Sequence, residues 1–196
     1  MWIDCEMTGL DLDKDQLVEI AVIVTDADLT ELDAGINIII RPDDLSVLEG
    51  MDPVVVDMHT SSGLLDQIPG GVTLAEAQEQ VLAYVRQHVP EARKAPLAGS
   101  SVYVDRGFLA RDMPELDAHL HYRLVDVSSV KEIARRWYPR AYFNSPEKRG
   151  NHRALGDIRE SIAELRYYRD AIFVPQPGPD SEAAKAVAAE HVVDHG

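Results

Sequence analysis

Residues 16–25, QLVEIAVIVT, constrain the fold more than any other segment. β-Branched side chains pack well on a pleated surface, so this run reads as a buried strand. Ile3 to Cys5 reads as the end of an earlier strand, followed by a turn at Thr8-Gly9. Residues 34–40, AGINIII, read as a further strand closed by Arg41-Pro42. Three successive strands with turn-like connections predict an antiparallel meander.

Beyond the meander the periodicity changes. Leu74, Val81, Leu82, Val85 and Val89 recur at helical spacing, with Thr73 as N-cap and Glu76 closing a capping box. Residues 95–99 predict a short strand, 108–113 a helix stopped by Pro114, and 124–127 another short strand. Ser128 is the expected cap of a helix running to Tyr138, and residues 139–151 read as a loop. A long helix over 155–172 carries Ile158, Ile162, Leu165 and Arg169 along one side. After Phe173 the run Pro175-Gln176-Pro177-Gly178-Pro179 breaks the fold. Residues 1–173 are therefore expected to form one domain and 174–196 a flexible tail, transiently helical around 182–190. Strands first, then strands alternating with helices, imply an α/β fold with a mixed sheet.

The chain has 196 residues, of which 45% are hydrophobic and 27% charged, enough for one domain with its own core. No apolar run approaches the roughly 20 residues of a membrane helix, and the first residues lack a signal-peptide pattern. Cys5 is the sole cysteine, so no internal disulfide forms, and a cytoplasmic location is expected. The net charge of −15 argues against long nucleic acids, whose binding needs many Lys and Arg. A ligand of two to five nucleotides escapes that argument, because divalent ions can neutralise its few phosphates.

Asp4 and Glu6 alternate on a strand and so face the same way, about 7 Å apart. Alone, such a pair also fits a solvated strand end. His152 ends the loop and Asp157 lies early in the last helix. Alone, these also fit a polar helix start with a favourable charge near its positive end. Asp105 alone fits a helix cap. Together, four carboxylates and a histidine from distant segments are what a two-metal phosphodiesterase needs. Mg²⁺ and Mn²⁺ prefer oxygen ligands, and two ions about 3.5–4 Å apart stabilise both attacking and leaving oxygens. A nearby histidine can accept the proton of the attacking water.

The order Asp-x-Glu, Asp, His-x₄-Asp resembles the DEDDh exonucleases. Trp2-Ile3-Asp4-Cys5-Glu6-Met7-Thr8-Gly9-Leu10, Met58-His59-Thr60, His121-Tyr122-Arg123, Asp126-Val127-Ser128, Arg135-Arg136-Trp137 and Asp157-Ile158-Arg159-Glu160-Ser161 narrow the resemblance to the oligoribonucleases. It runs from residue 1 to about 173. The resemblance implies a ribonuclease H-like mixed sheet with helices on both faces, and 3′-to-5′ exonuclease activity on very short RNA, dinucleotides above all. It implies two Mg²⁺ or Mn²⁺ ions per site, held by Asp4, Glu6, Asp105 and Asp157, with His152 as general base. Leu10 is implied as a wedge between bases, with His59 near the scissile end. Ser101, Arg123 and Ser128 are implied as a cap on the 5′ phosphate, with Tyr122 supplied across a homodimer. Arg123 suits the cap because its planar fork matches phosphate oxygens. The rival expectations are a DEDDh exonuclease for longer RNA or single-stranded DNA, and a dimeric module that has lost catalysis.

The chain departs from the family pattern at Ser100, Tyr103 and Gly107, around the middle acid, and at Val54, where the family often has tryptophan. Gly107 is expected to loosen its helix by up to ~1 kcal/mol relative to Ala. Only three residues precede Asp4, so a short first strand is expected. Asp11-x-Asp13-x-Asp15 is like the start of a calcium loop, but Gln16 stands where that loop needs Gly and Val22 where it needs Glu. An exposed acidic turn is expected there.

Overall fold

The computed structural model describes residues 1–147 and 153–193. The predicted meander is present. Strands β1 (Trp2–Met7), β2 (Leu17–Ile23) and β3 (Ile36–Ile39) pair antiparallel. Helix α1 (Pro53–Ser61), absent from the sequence reading, follows with Asp52 as its N-cap. Helix α2 (Leu74–His88) carries the expected capping box between Thr73 and Glu76. Strand β4 (Pro96–Gly99) then pairs parallel to β1, and β5 (His121–Asp126) parallel to β4. The sheet order is β3-β2-β1-β4-β5.

Several boundaries differ from expectation for identifiable reasons. Helix α3 (Tyr103–Asp112) starts five residues before the predicted 108, because burial of Asp105, Phe108 and Leu109 anchors it. Pro114 ends α3 but also opens α4 (Pro114–His119), where its fixed φ suits the first helical position. The N-cap of α5 (Val127–Trp137) is Asp126, whose side chain accepts the Ser128 N–H, so Ser128 lies inside the first turn. The expected loop after Tyr138 contains α6 (Pro139–Phe143); its last residues, 148–151, lie outside the described ones. Helix α7 (Ala154–Ile172) matches its prediction, and α8 (Ser181–Glu190) gives the tail a full helix. The first strand is six residues long, because pairing with β2 continues through a bulge between Glu6 and Met7.

Strand alternation divides the interior into two layers. On one face Ile3, Cys5, Ile20, Val22 and Ile38 pack with Val81, Val85, Phe108 and Leu116 from α2, α3 and α4, and with Met113 between the last two helices. On the other, Trp2, Ala21, Ile23 and Ala98 pack with Val127 of α5 and Ala154, Ile158 and Ile162 of α7. Spacing by four puts those three α7 residues on one stripe. The Trp2 indole N–H donates to Thr25 Oγ1 at 3.1 Å, so a fully buried ring keeps its polar edge satisfied. A Cβ at Gly107 would lie 3.2 Å from Leu12 Cδ1, a tight contact with the end of an exposed side chain of the β1–β2 loop. No helix among the described residues is long and apolar enough to cross a membrane.

Candidate active site

The layer holding α7 decides where the acids go. Trp2, Asp4 and Glu6 share one side of β1, and α7 lies against that side. Asp157, in the first turn of α7, therefore meets the β1 acids across the layer. One carboxylate oxygen from each of Asp4, Glu6 and Asp157 lies within 4.8 Å of the other two. This is the only group of three or more acids, histidines or cysteines with that geometry among the described residues.

Asp105 joins from the opposite layer. It sits in the first turn of α3, buried, and its Oδ1 accepts the Cys5 backbone N–H at 2.9 Å. That bond ties α3 to β1 between Asp4 and Glu6. Asp105 is not the cap of its helix; Val102 occupies that position without a side-chain bond.

Crowding makes these carboxyls hard to ionise. Burial, then repulsion from Asp105, Glu6, Asp157 and Glu19, holds Asp4 well above the usual carboxylate range. Burial and the charges of Asp157, Glu19 and Asp105 push Glu6 up to about 8, while Arg153 opposes the shift. Burial raises Asp105 to about 7 against the Cys5 hydrogen bond. Acids that cannot all be charged in the bare protein are suited to a hard divalent cation, which supplies the missing positive charge to an all-oxygen donor set.

The other expected site residues fall into three groups. His59 is fully buried on α1; its Nε2 lies 2.8 Å from the Met7 carbonyl and its Nδ1 4.0 Å from Glu6 Oε2, with no hydrogen-bond partner for Nδ1. It therefore borders a cluster carboxylate. Leu10 is 74% exposed on the β1–β2 loop, so it does not serve core packing. Val54, where the family often has tryptophan, is exposed on α1, and Tyr103 also faces solvent.

Ser101 and Ser128 come together around Asp126. Asp126 Oδ1 accepts from Ser101 N at 3.0 Å, Ser128 N at 2.9 Å and Ser128 Oγ at 2.6 Å, and the two serine hydroxyl oxygens are 3.3 Å apart. Ser101 holds a left-handed backbone with φ of 56°, which costs a non-glycine residue of order 1 kcal/mol and needs such external support. Tyr122 and Arg123 are exposed on β5, with the Arg123 guanidinium 5.3 Å from the Tyr122 ring centre. His152 lies outside the described residues.

Sequence reasoning missed three residues here: Asp126 as organiser of the serines, Glu19 and Arg153. The signal for Glu19 was available, since it is the single charge within the apolar run of β2. It stands opposite Glu6 in the β1–β2 register and is fully buried.

The chain is similar to curated and solved proteins in a consistent way. It is 69% identical over 193 residues to the oligoribonuclease of Streptomyces avermitilis, covering 98% of this chain and 96% of that one. Against the oligoribonuclease of Streptomyces coelicolor it is 67% identical over 196 residues, covering all of this chain and 98% of the other. Among solved structures, the zinc-bound E. coli exonuclease I in complex with single-stranded DNA superposes with a TM-score of 0.67 at 15% identity, over 87% of this chain. The present chain spans only 40% of that larger protein, so this likeness concerns the ribonuclease H-like fold alone. A model of the RNase T exonuclease family matches residues 1–165, and with that match beside such relatives the chain belongs to this exonuclease family.

Proposed function

We propose that this chain is a 3′-to-5′ exoribonuclease that degrades very short oligoribonucleotides, dinucleotides above all, to 5′-nucleoside monophosphates. The observation that carries the reading is the close group of Asp4, Glu6 and Asp157, of which Glu6 is buried, with Asp105 tied to β1 beside it. Near-complete coverage of relatives called oligoribonucleases supports the substrate class.

In this reading Asp4, Glu6, Asp105 and Asp157 hold two divalent ions, Mg²⁺ or Mn²⁺. Bound ions supply Lewis-acid stabilisation of phosphoryl oxygens and lower the pKa of water. His152, next in sequence to Arg153, takes the proton of the attacking water. His59 stands beside Glu6, near the scissile end of the bound substrate. Leu10 offers an exposed apolar surface on which a base can rest. Ser101, Ser128 and Arg123 cap a 5′ phosphate, which closes the groove beyond the second nucleotide and disfavours longer chains.

The same reading includes a homodimer in which the partner subunit's Tyr122 completes the cap. Strand β5 supports it, as a sheet edge that exposes Tyr122, Leu124 and Val125, next to α5 with exposed Ile133 and Trp137. Residues 1–173 form the catalytic domain and 174–196 the tail, supported by the exposure of every residue of α8. A cytoplasmic location fits the unpaired Cys5.

The test is cleavage of a 5′-labelled diribonucleotide with Mg²⁺ or Mn²⁺, beside five- and twenty-residue RNAs, with Asp157→Ala as control. Rapid conversion of the dinucleotide, lost in the variant and far slower on the longest RNA, is the expected result. Equal rates at all lengths would refute the dinucleotide preference, and no turnover by a folded, metal-binding protein would refute the enzyme.

A further inference from the structure

Helix α7 brings one acid to the cluster, so whatever seats its first turn sets the geometry of the whole site. That turn lacks the usual local device. Arg153, at the N-cap position, makes no side-chain bond to the helix's own N–H groups, although the first N–H groups of any helix need outside acceptors.

Glu19, from the middle of β2, supplies one. Its Oε2 lies 3.4 Å from the Ala154 N–H, and its Oε1 accepts from Arg153 Nε at 3.1 Å and Nη2 at 3.0 Å. Asn37 Nδ2 on β3 donates to the same oxygen at 2.8 Å. One fully buried carboxylate thus joins two strands to the start of α7, more than 130 residues away in sequence. The two-pronged contact fixes the direction of the guanidinium as well as its distance. Arg153 Nη2 also reaches Gln67 Oε1 at 3.3 Å, so the helix start is held from a further side.

We propose that Glu19 and Arg153 form a clamp that positions Asp157 for metal binding, a role that rests on the metal reading of the acidic cluster. Both are positioning residues, acting through Asp157. The clamp has a distinctive electrostatic sign. Arg153 is a cation beside an acidic site, so a purely electrostatic role makes its removal tighten divalent cation binding. A positioning role makes removal weaken it, since outer partners of metal ligands typically contribute 10–100-fold to affinity.

The experiment titrates Mn²⁺ alone into the full chain by calorimetry, with circular dichroism and melting temperature recorded for each variant. Arg153→Met and the nearly isosteric Glu19→Gln are each expected to weaken Mn²⁺ affinity by ~10-fold or more. The double variant is expected to be no worse than the poorer single one, because each substitution already opens the clamp. Glu164→Gln provides the structural control, since Glu164 is a buried carboxylate paired with Lys131 at 3.2 Å further along the same helix; it is expected to lower the melting temperature and leave Mn²⁺ affinity unchanged. Unchanged or tighter Mn²⁺ binding by folded Arg153→Met or Glu19→Gln overturns the clamp. If Asp157→Ala itself keeps wild-type Mn²⁺ affinity, the metal reading beneath the clamp falls first.

Discussion

Metal binding by this protein is expected to expel protons, in an amount the structure bounds. Asp4, Glu6 and Asp157 present oxygens within 4.8 Å of one another. At an effective dielectric near 20, each fully ionised pair repels by at least ~3.5 kcal/mol, or roughly 10 kcal/mol for three pairs. That is comparable with the entire stability of a domain, about 5–15 kcal/mol, so the bare cluster must retain protons. Burial and neighbouring acids push Glu6 up to about 8, and burial pushes Asp105 up to about 7. At pH 7 these leave Glu6 roughly nine-tenths and Asp105 about half protonated, so a cation that ionises both releases about 1.4 protons. Asp4, also raised by burial and its acidic neighbours, adds to the release.

Calorimetric Mn²⁺ titrations in buffers of differing ionisation enthalpy give the count directly. The expected value is ~1–2.5 protons per site at pH 7, falling as the pH is raised to 9. A count below ~0.3 at pH 7, or one that does not fall with pH, refutes the reasoning. The same groups set the stability of the metal-free protein. Their folded pKa values lie above the unfolded values near 4, so the folded state binds the extra protons. The resulting stabilisation is complete below about pH 4 and is lost as pH rises through 7 to 8. The metal-free melting temperature is therefore expected to drop from pH 5 to pH 9, and saturating Mg²⁺ to reduce that drop.

Three other outcomes follow from particular contacts. Asp126→Ala removes the cap of α5 and the shared acceptor of Ser101 and Ser128; chemical denaturation should show a loss of about 1–2 kcal/mol, and a 5′-phosphorylated dinucleotide should lose its advantage over the 5′-hydroxyl form. Trp2→Ala empties the space between β1 and α7, where the ring is 2% exposed, and should cost about 3–5 kcal/mol in the same assay. Trp137→Glu places a charge on the exposed face of α5; light scattering should then report a monomer in place of the proposed dimer, and an unchanged mass would remove α5 from the interface.

The fold was legible where one pattern governed the local choice. Residues 16–25 gave β2, Thr73 and Glu76 gave the start of α2, and the stripe through Ile158 and Ile162 gave α7. The reading failed where a tertiary contact decided. Nothing local marks Tyr103 as a helix start, because α3 is fastened by Phe108 and Leu109 beneath it and by Asp105 on the Cys5 N–H. In the site, Asp4 and Glu6 were visible because strand alternation is periodic, and Asp157 through the resemblance carried by the His-x₄-Asp spacing. The meeting of Glu19 with Arg153 was not, since no spacing rule links residues 134 positions apart. Asp126 was overlooked for a simpler reason: Ser128 is an equally plausible cap by residue type, and only the bond directions tell them apart.

The β1–β2 loop has one further consequence. Asp15 accepts from Thr8 Oγ1 at 2.9 Å and from the Asp11 N–H at 2.8 Å, while Arg111 donates to the carbonyls of Leu12 and Asp15. Leu10 is thus a hydrophobic side chain kept in water by a loop that is already tied down. In the proposed function, a base settling on it would remove apolar surface without having to order the loop first. Association of a dinucleotide should therefore show a negative change in heat capacity, and replacing Leu10 with alanine should shrink it.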